Sequence, residues 1–210
     1  KTTTLVEAIA RRIEEGVRPD QVLALTFSRK AAEQLRARVT ARVGRTTAAS
    51  LGSTFHSFAY GLVRQHSSPE LYDAPLRLLT APEQDVVLQR LLTVHEESVV
   101  WPESVRGALG TRGFAGEVAQ VLARTQEKGL GSEALRQLGE AEGVPELVAA
   151  AALMEQYDIV TAEENQLDYP GLVATAVRML QDPGLPLRDE LRAQYSHVFV
   201  DEYQDTDPAQ

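Results

Sequence analysis

The chain has 210 residues, 43% of them hydrophobic and 24% charged, with a net charge of −9. That is the profile of a globular protein and argues against a disordered tail. No apolar run approaches the roughly 20 residues that a bilayer crossing requires, and no secretory segment follows Lys1, so the expectation is a cytoplasmic protein without a membrane partner. The absence of cysteine excludes a disulfide framework, a thiolate metal site and a thiol nucleophile. His56, His66, His95 and His197 are scattered, which argues against a multi-histidine metal site. The charge is unevenly spread: residues 1–66 carry 11 Lys and Arg against 5 Asp and Glu, whereas residues 67–210 carry 10 against 25. Such asymmetry suits one face meeting an anionic polymer. It equally suits solvated, Arg-rich helix faces, and charge alone leaves both readings open.

In chain order, Thr2–Glu15 places Leu5, Ile9 and Ile13 four residues apart and predicts an amphipathic helix ended by Gly16. Residues 21–27, QVLALTF, form a short apolar run that reads as a strand buried on both faces. Ser28 is placed to cap a helix running to Val43. Leu51–Phe55 predicts a short strand, and Phe58, Leu62 and Val63 lie on the helix after it. This alternation favours a parallel sheet. Residues 69–166 carry almost no strand signal; helices are expected at Glu83–Val94, Phe114–Glu127, Ser132–Glu140 and Glu146–Thr161, punctuated by Pro82, Pro102, Gly129, Gly143 and Pro145. Two more helices are expected at Tyr169–Leu180 and Leu187–Tyr195, and then a second buried strand at His197–Val200. The outline is an α/β layer interrupted by an all-helical segment.

Four segments carry chemistry. The strand Val198-Phe199-Val200 delivers Asp201-Glu202 at its carboxyl end, where open α/β sheets bind ligands. In P-loop NTPases an acid there holds Mg²⁺, and its neighbour orients or deprotonates the attacking water. Lys1-Thr2-Thr3 opens a helix as the end of a phosphate-binding loop does: the Lys reaches phosphates, a hydroxyl meets Mg²⁺ and the helix N-terminus favours the anion. Without the Gly-rich part, that run reads equally as a capped helix start. Residues 26–39, TFSRKAAEQLRARV, put Phe27 beside Thr26, Ser28, Arg29 and Lys30 at a strand–helix junction. A ring among hydroxyls and cations suits a single nucleic-acid strand, stacking on bases while the cations meet phosphates; a core Phe27 below a solvated Arg face is the plainer alternative. Residues 52–66 repeat the pattern with Thr54, Phe55, His56 and Ser57.

The order KTTTLVEAIA, LALTFSRKAAEQLR, GSTFHSFA, LDYPGLV and HVFVDEYQDTDPAQ resembles superfamily 1 DNA helicases of the UvrD/Rep/PcrA type, from the tail of motif I through motifs Ia and Ib to motif II. The resemblance implies a partial RecA-like P-loop NTPase parallel sheet with an inserted all-helical subdomain. Residues 1–68 would begin the first motor domain (1A), residues 69–166 would be the helical 1B insertion, and residues 167–210 would return to 1A. ATP and Mg²⁺ would be the cofactors, and single-stranded or duplex DNA the partner. By the same resemblance, Lys1, Thr2 and Thr3 would bind the nucleotide, and Thr2 and Asp201 would hold Mg²⁺. Glu202 would be the catalytic base, and Gln204 would sense the γ-phosphate or link it to DNA. Thr26, Phe27, Ser28, Arg29, Lys30, Thr54, Phe55 and His56 would line the strand track.

Two positions depart from the family pattern: Arg29 stands where Asn is usual, and Tyr203 where Phe is common. The style of WPESVRGALGTRGFAG is similar to AdnA/AdnB helicase–nucleases, which implies a helicase–nuclease partner subunit. The chain is expected to be a window on a longer 3′-to-5′ helicase or translocase of repair or recombination, inactive by itself. The rival expectation is a non-catalytic DNA-binding or scaffold subunit with a vestigial motor, against which Lys1, Thr2, Asp201 and Glu202 all stand intact.

Overall fold

The structure is a computed structural model that describes residues 2–44, 51–66, 76–94 and 99–210. It divides into two compact units, one of Lys1–Val63, Ala176–Thr206 and Gln210, the other of Arg64–Thr175 and Asp207–Ala209.

The first unit is built on a parallel sheet in the order β2-β1-β5, from β1 (Val22–Thr26), β2 (Gly52–Thr54) and β5 (His197–Val200). All five residues of β1 are buried, as the unbroken apolar run requires of a central strand. Its alternate side chains serve two cores. Val22 and Ala24 pack with Val6, Ile9 and Ile13 of α1 (Thr2–Glu14), Leu35 and Val39 of α2 (Arg29–Val43), and Leu51. Leu23 and Leu25 pack with Phe55 of α3 (Phe55–His66), with Phe58, Tyr195 and Val200 against them. Arg42 ties α2 to α1 through Glu7 at 3.1 Å and Glu14 at 2.6 Å.

One expectation fails here. His197–Val200 is a strand, but not one buried on both faces: among the described residues it pairs only with β1, at the sheet edge, and Val198 is 57% exposed. An apolar run tells of a strand's composition, not of how many neighbours it has.

The second unit is helical, with α4 (Ala81–Val94), α5 (Glu103–Arg106), α6 (Arg112–Glu127), α7 (Ser132–Glu142) and α8 (Pro145–Glu163), joined by the first half of α9 (Tyr169–Gln181). Its core gathers Leu88, Leu91, Leu122, Leu153 and Met154 around Trp101, whose ring meets Phe114 edge-on at 5.1 Å. α7 and α8 form a hairpin, with Gly143 in the left-handed conformation (φ 66°) and Pro145 at the start of α8. The helices close because Gly139 lacks a side chain: a Cβ there would lie 2.9 Å from the Val148 nitrogen.

Three elements among the described residues were not expected: the four-residue α5, and β3 (Arg77–Leu78) with β4 (Gln166–Leu167), which form a two-residue parallel ladder separate from the main sheet. Immediately after β4, Asp168 is 4% exposed and holds three elements together. Its Oδ1 accepts from the Gly171 nitrogen at 2.7 Å, capping α9, while Oδ2 accepts from Gln84 Nε2 of α4 at 2.7 Å and the Tyr157 hydroxyl of α8 at 3.0 Å. Burial pushes the Asp168 carboxyl above the usual carboxylate range, against the pull of the Gly171 and Tyr157 bonds. Burial, then Asp168, pushes the Tyr157 hydroxyl up, so it remains a proton donor.

Candidate functional site

Parallel pairing puts the ends of the three strands in one line. Thr26 of β1 lies opposite Thr54 of β2, Leu25 lies opposite Val200 of β5, and the Asp201 nitrogen donates to the Leu25 carbonyl at 2.9 Å. Thr54, Thr26 and Asp201 therefore share the carboxyl edge of the sheet, the edge at which open parallel sheets bind ligands.

On the β5 side, the chain turns sharply after Asp201. Glu202 takes the left-handed conformation, with φ 51° and ψ 44°, which disfavours a non-glycine residue by about 1–2 kcal/mol. The turn is closed by the Asp205 nitrogen donating to the Glu202 carbonyl at 2.8 Å and by Thr206 Oγ1 donating to the Tyr203 carbonyl at 2.8 Å. The Gln204 amide donates to both the Glu202 and Asp205 carboxylates. The Asp201 carboxylate, half-buried, has no hydrogen bond or ion pair among the described residues. No group of three or more His, Cys, Asp or Glu able to hold a metal occurs among those residues. An uncommitted carboxylate at a strand end, without a protein cage, fits Mg²⁺ that arrives on a nucleotide and keeps phosphate and water ligands. Thr2 begins α1 half-buried and Thr3 is exposed. Lys1 lies outside the described residues, so the expected proximity of Lys1 to Asp201 concerns a residue without described placement.

At the β1–α2 junction, Thr26 is 1% exposed and its hydroxyl donates to the Ser28 carbonyl at 3.1 Å. Ser28 caps α2, its Oγ accepting from the Ala31 nitrogen at 3.1 Å. The β2–α3 junction repeats this economy: Thr54 Oγ1 accepts from the Ser57 nitrogen at 3.0 Å and meets Ser57 Oγ at 2.8 Å. Both threonines are thus buried residues that shape the turns. Gly52 sets β2 against α2, since a Cβ there would lie 2.9 Å from the Ala32 carbonyl oxygen.

The two phenylalanines divide their roles. Phe27 is 43% exposed, Phe55 is 8% exposed, and their ring centroids are 5.5 Å apart. An exposed ring is thereby seated on a buried one. Beside it, Arg29 and Lys30 are exposed in the first turn of α2, which has no acidic residue. Neither makes an ion pair among the described residues. Cations at the positive end of a helix oppose the helix dipole, so this corner concentrates positive potential that an anion relieves. His56 is half-buried, and burial lowers its pKa, which keeps the imidazole neutral at pH 7.

Sequence reasoning reached Asp201, Glu202 and the two junctions but missed Asp205 as a partner of Gln204. It also missed the polar cluster on Asp168. A usable signal existed for the second: an acid immediately before a helix start, the position of an N-cap.

Comparison with known proteins agrees with this architecture. Residues 1–210 match the family described as UvrD/REP helicase N-terminal domain. The ATP-dependent DNA helicase UvrD1 of Mycobacterium tuberculosis is 30% identical over 223 residues, covering 100% of this chain and 26% of that protein. UvrD1 of Mycobacterium leprae is 29% identical over 228 residues, with 100% and 26% covered. The ATP-dependent DNA helicase PcrA of Staphylococcus epidermidis is 26% identical over 211 residues, with 100% and 27% covered. The chain spans about a quarter of the length of these curated relatives. With its whole length matched and its parallel sheet carrying an acidic strand end, the chain belongs to the UvrD/REP helicase N-terminal domain family.

Proposed function

We propose that this chain is the 1A–1B portion of an ATP-dependent DNA helicase or translocase that moves 3′ to 5′ along single-stranded DNA in repair or recombination. The reading rests on one observation above the others: Asp201, Thr26 and Thr54 lie in line at one sheet edge, so the acidic turn and both Thr-Phe junctions open on the same rim. A shared rim is what coupling nucleotide chemistry to a bound strand requires. The names of the relatives, ATP-dependent DNA helicases, support the same reading.

In this reading, Mg·ATP supplies the scissile phosphoanhydride and the charge neutralisation of its phosphates. Asp201, with Thr2, holds the metal from the protein side. Glu202 takes a proton from water as the water oxygen bonds to the γ-phosphorus; the bond to the β–γ bridging oxygen breaks, and ADP and phosphate leave. Lys1 and Thr3 hold phosphate oxygens. On the strand side, Phe27 stacks on a base, Arg29 and Lys30 attract the phosphates, and His56 hydrogen-bonds as a neutral group. Phe55, Thr26, Thr54 and Ser28 support these contacts by fixing the two turns.

The test is ATP hydrolysis and directional movement by the full-length protein on single-stranded DNA labelled at either end. The expected result is hydrolysis stimulated by single strands, with arrival at the 5′ end. Strand binding without any ATP hydrolysis would instead establish the scaffold reading.

A further inference from the structure

Gln204 stands in the turn after β5 with its carboxamide between two carboxylates. Its Nε2 donates to Glu202 Oε2 and, at 3.3 Å, to Asp205 Oδ2. An amide nitrogen carries two hydrogens, so it can serve both acceptors at once. The same geometry fixes which way the amide faces, because reversing it would set its carbonyl oxygen against two negative groups. The backbone confines the three residues together: Glu202 is left-handed, Tyr203–Asp205 form a 3₁₀ turn, and the Asp205 nitrogen donates to the Glu202 carbonyl at 2.8 Å. Tyr203, between them, is exposed.

We propose that Gln204 is a positioning residue: its amide, braced by Asp205, clasps the Glu202 carboxylate and holds it in one orientation at the sheet edge. This rests on the reading of Glu202 as the group that takes the proton from water. A glutamate has three rotatable side-chain bonds, and an amide donating to its carboxylate narrows the rotamers in which it presents an oxygen to a water at the sheet edge. Gln204 thus acts through Glu202, and direct contact with the γ-phosphate or with DNA is not its role. The clasp also accounts for the spacing of the DEYQD segment: Asp201 ends the strand, Glu202 turns it, Gln204 reaches back over one residue, and Asp205 orients Gln204.

The experiment uses the full-length protein with saturating oligo-dT. It measures single-turnover ATP hydrolysis, and binding of a non-hydrolysable ATP analogue, for Gln204→Ala and Gln204→Glu, each alone and combined with Glu202→Gln. Gln204 is exposed, and Glu matches it in size, so loss of folding is not the expected outcome. Each single variant is expected to slow hydrolysis about ten- to a hundredfold, the scale of a misplaced catalytic group. Analogue affinity should stay within about twofold. In the Glu202→Gln background, where no base remains to be positioned, Gln204→Ala should change the residual rate less than about twofold, the non-additivity of residues acting as a unit.

The same fractional loss in both backgrounds would overturn the proposal, as would weakened analogue binding with an unchanged rate, because either places Gln204 on the nucleotide itself. An unchanged rate in Gln204→Ala and Gln204→Glu alone would also overturn it. A wild-type rate in Glu202→Gln alone is a different failure: it removes the base assignment, and the clasp with it.

Discussion

Phe27 and Phe55 follow threonines in two look-alike junctions, yet one ring is exposed and the other buried. The difference comes from where each falls on its backbone. Phe27 follows the last residue of β1 and precedes the capping Ser28, so it stands outside both elements. Phe55 is the first residue of α3, and its ring enters the cluster of Leu23 and Leu25. Apolar patterning could not separate them, because each lies one residue past the end of a strand, where alternation stops. What did point to Phe27 was its polar company, Thr26, Ser28 and Lys30. In the full-length protein, Phe27→Ala is expected to weaken single-strand binding about ten- to a hundredfold without sequence preference, one base's stacking, while costing about 1 kcal/mol or less of stability for a half-exposed ring. Paired titrations and thermal melts check this. A loss near the 3–5 kcal/mol of a core Phe→Ala, with DNA affinity unchanged, would return Phe27 to the core.

At the scale of elements, the strands and helices of the first unit were legible because local chemistry and tertiary role agree. Ser28 caps α2 as its position suggested, and the apolar run at 22–26 is the central strand. Position within the sheet was not legible: β5 reads like β1 in composition but is an edge strand among the described residues. The β3–β4 ladder was invisible because two residues cannot show a period of two. The cluster on Asp168 was also hidden, since Gln84 and Tyr157 reach it from 84 and 11 residues away. Its weight can be measured. Asp168→Ala leaves the Tyr157 hydroxyl, the Gln84 amide and the Gly171 nitrogen without their acceptor, and is expected to cost about 2–5 kcal/mol. Thermal denaturation of the variant gives the number; a loss below about 1 kcal/mol would mean that water replaces the carboxylate and that the cluster does not hold α4, α8 and α9 together.

For the whole molecule, the uneven charge has a structural counterpart. The excess of cations in residues 1–66 includes Arg29 and Lys30 on the rim, whereas Arg42 is spent on joining α2 to α1. In the function proposed above, this rim performs nucleotide chemistry through Glu202. The most direct test is single-turnover hydrolysis of prebound ATP by full-length Glu202→Gln with single-stranded DNA present. Glutamine keeps the size and hydrogen bonding of the side chain but cannot accept the water's proton. The expected result is ATP bound as tightly as by the wild type, with hydrolysis slowed on the order of 10²–10⁴-fold, the usual range for loss of a general base. Hydrolysis at the wild-type rate would contradict the claim and assign the proton transfer to another group.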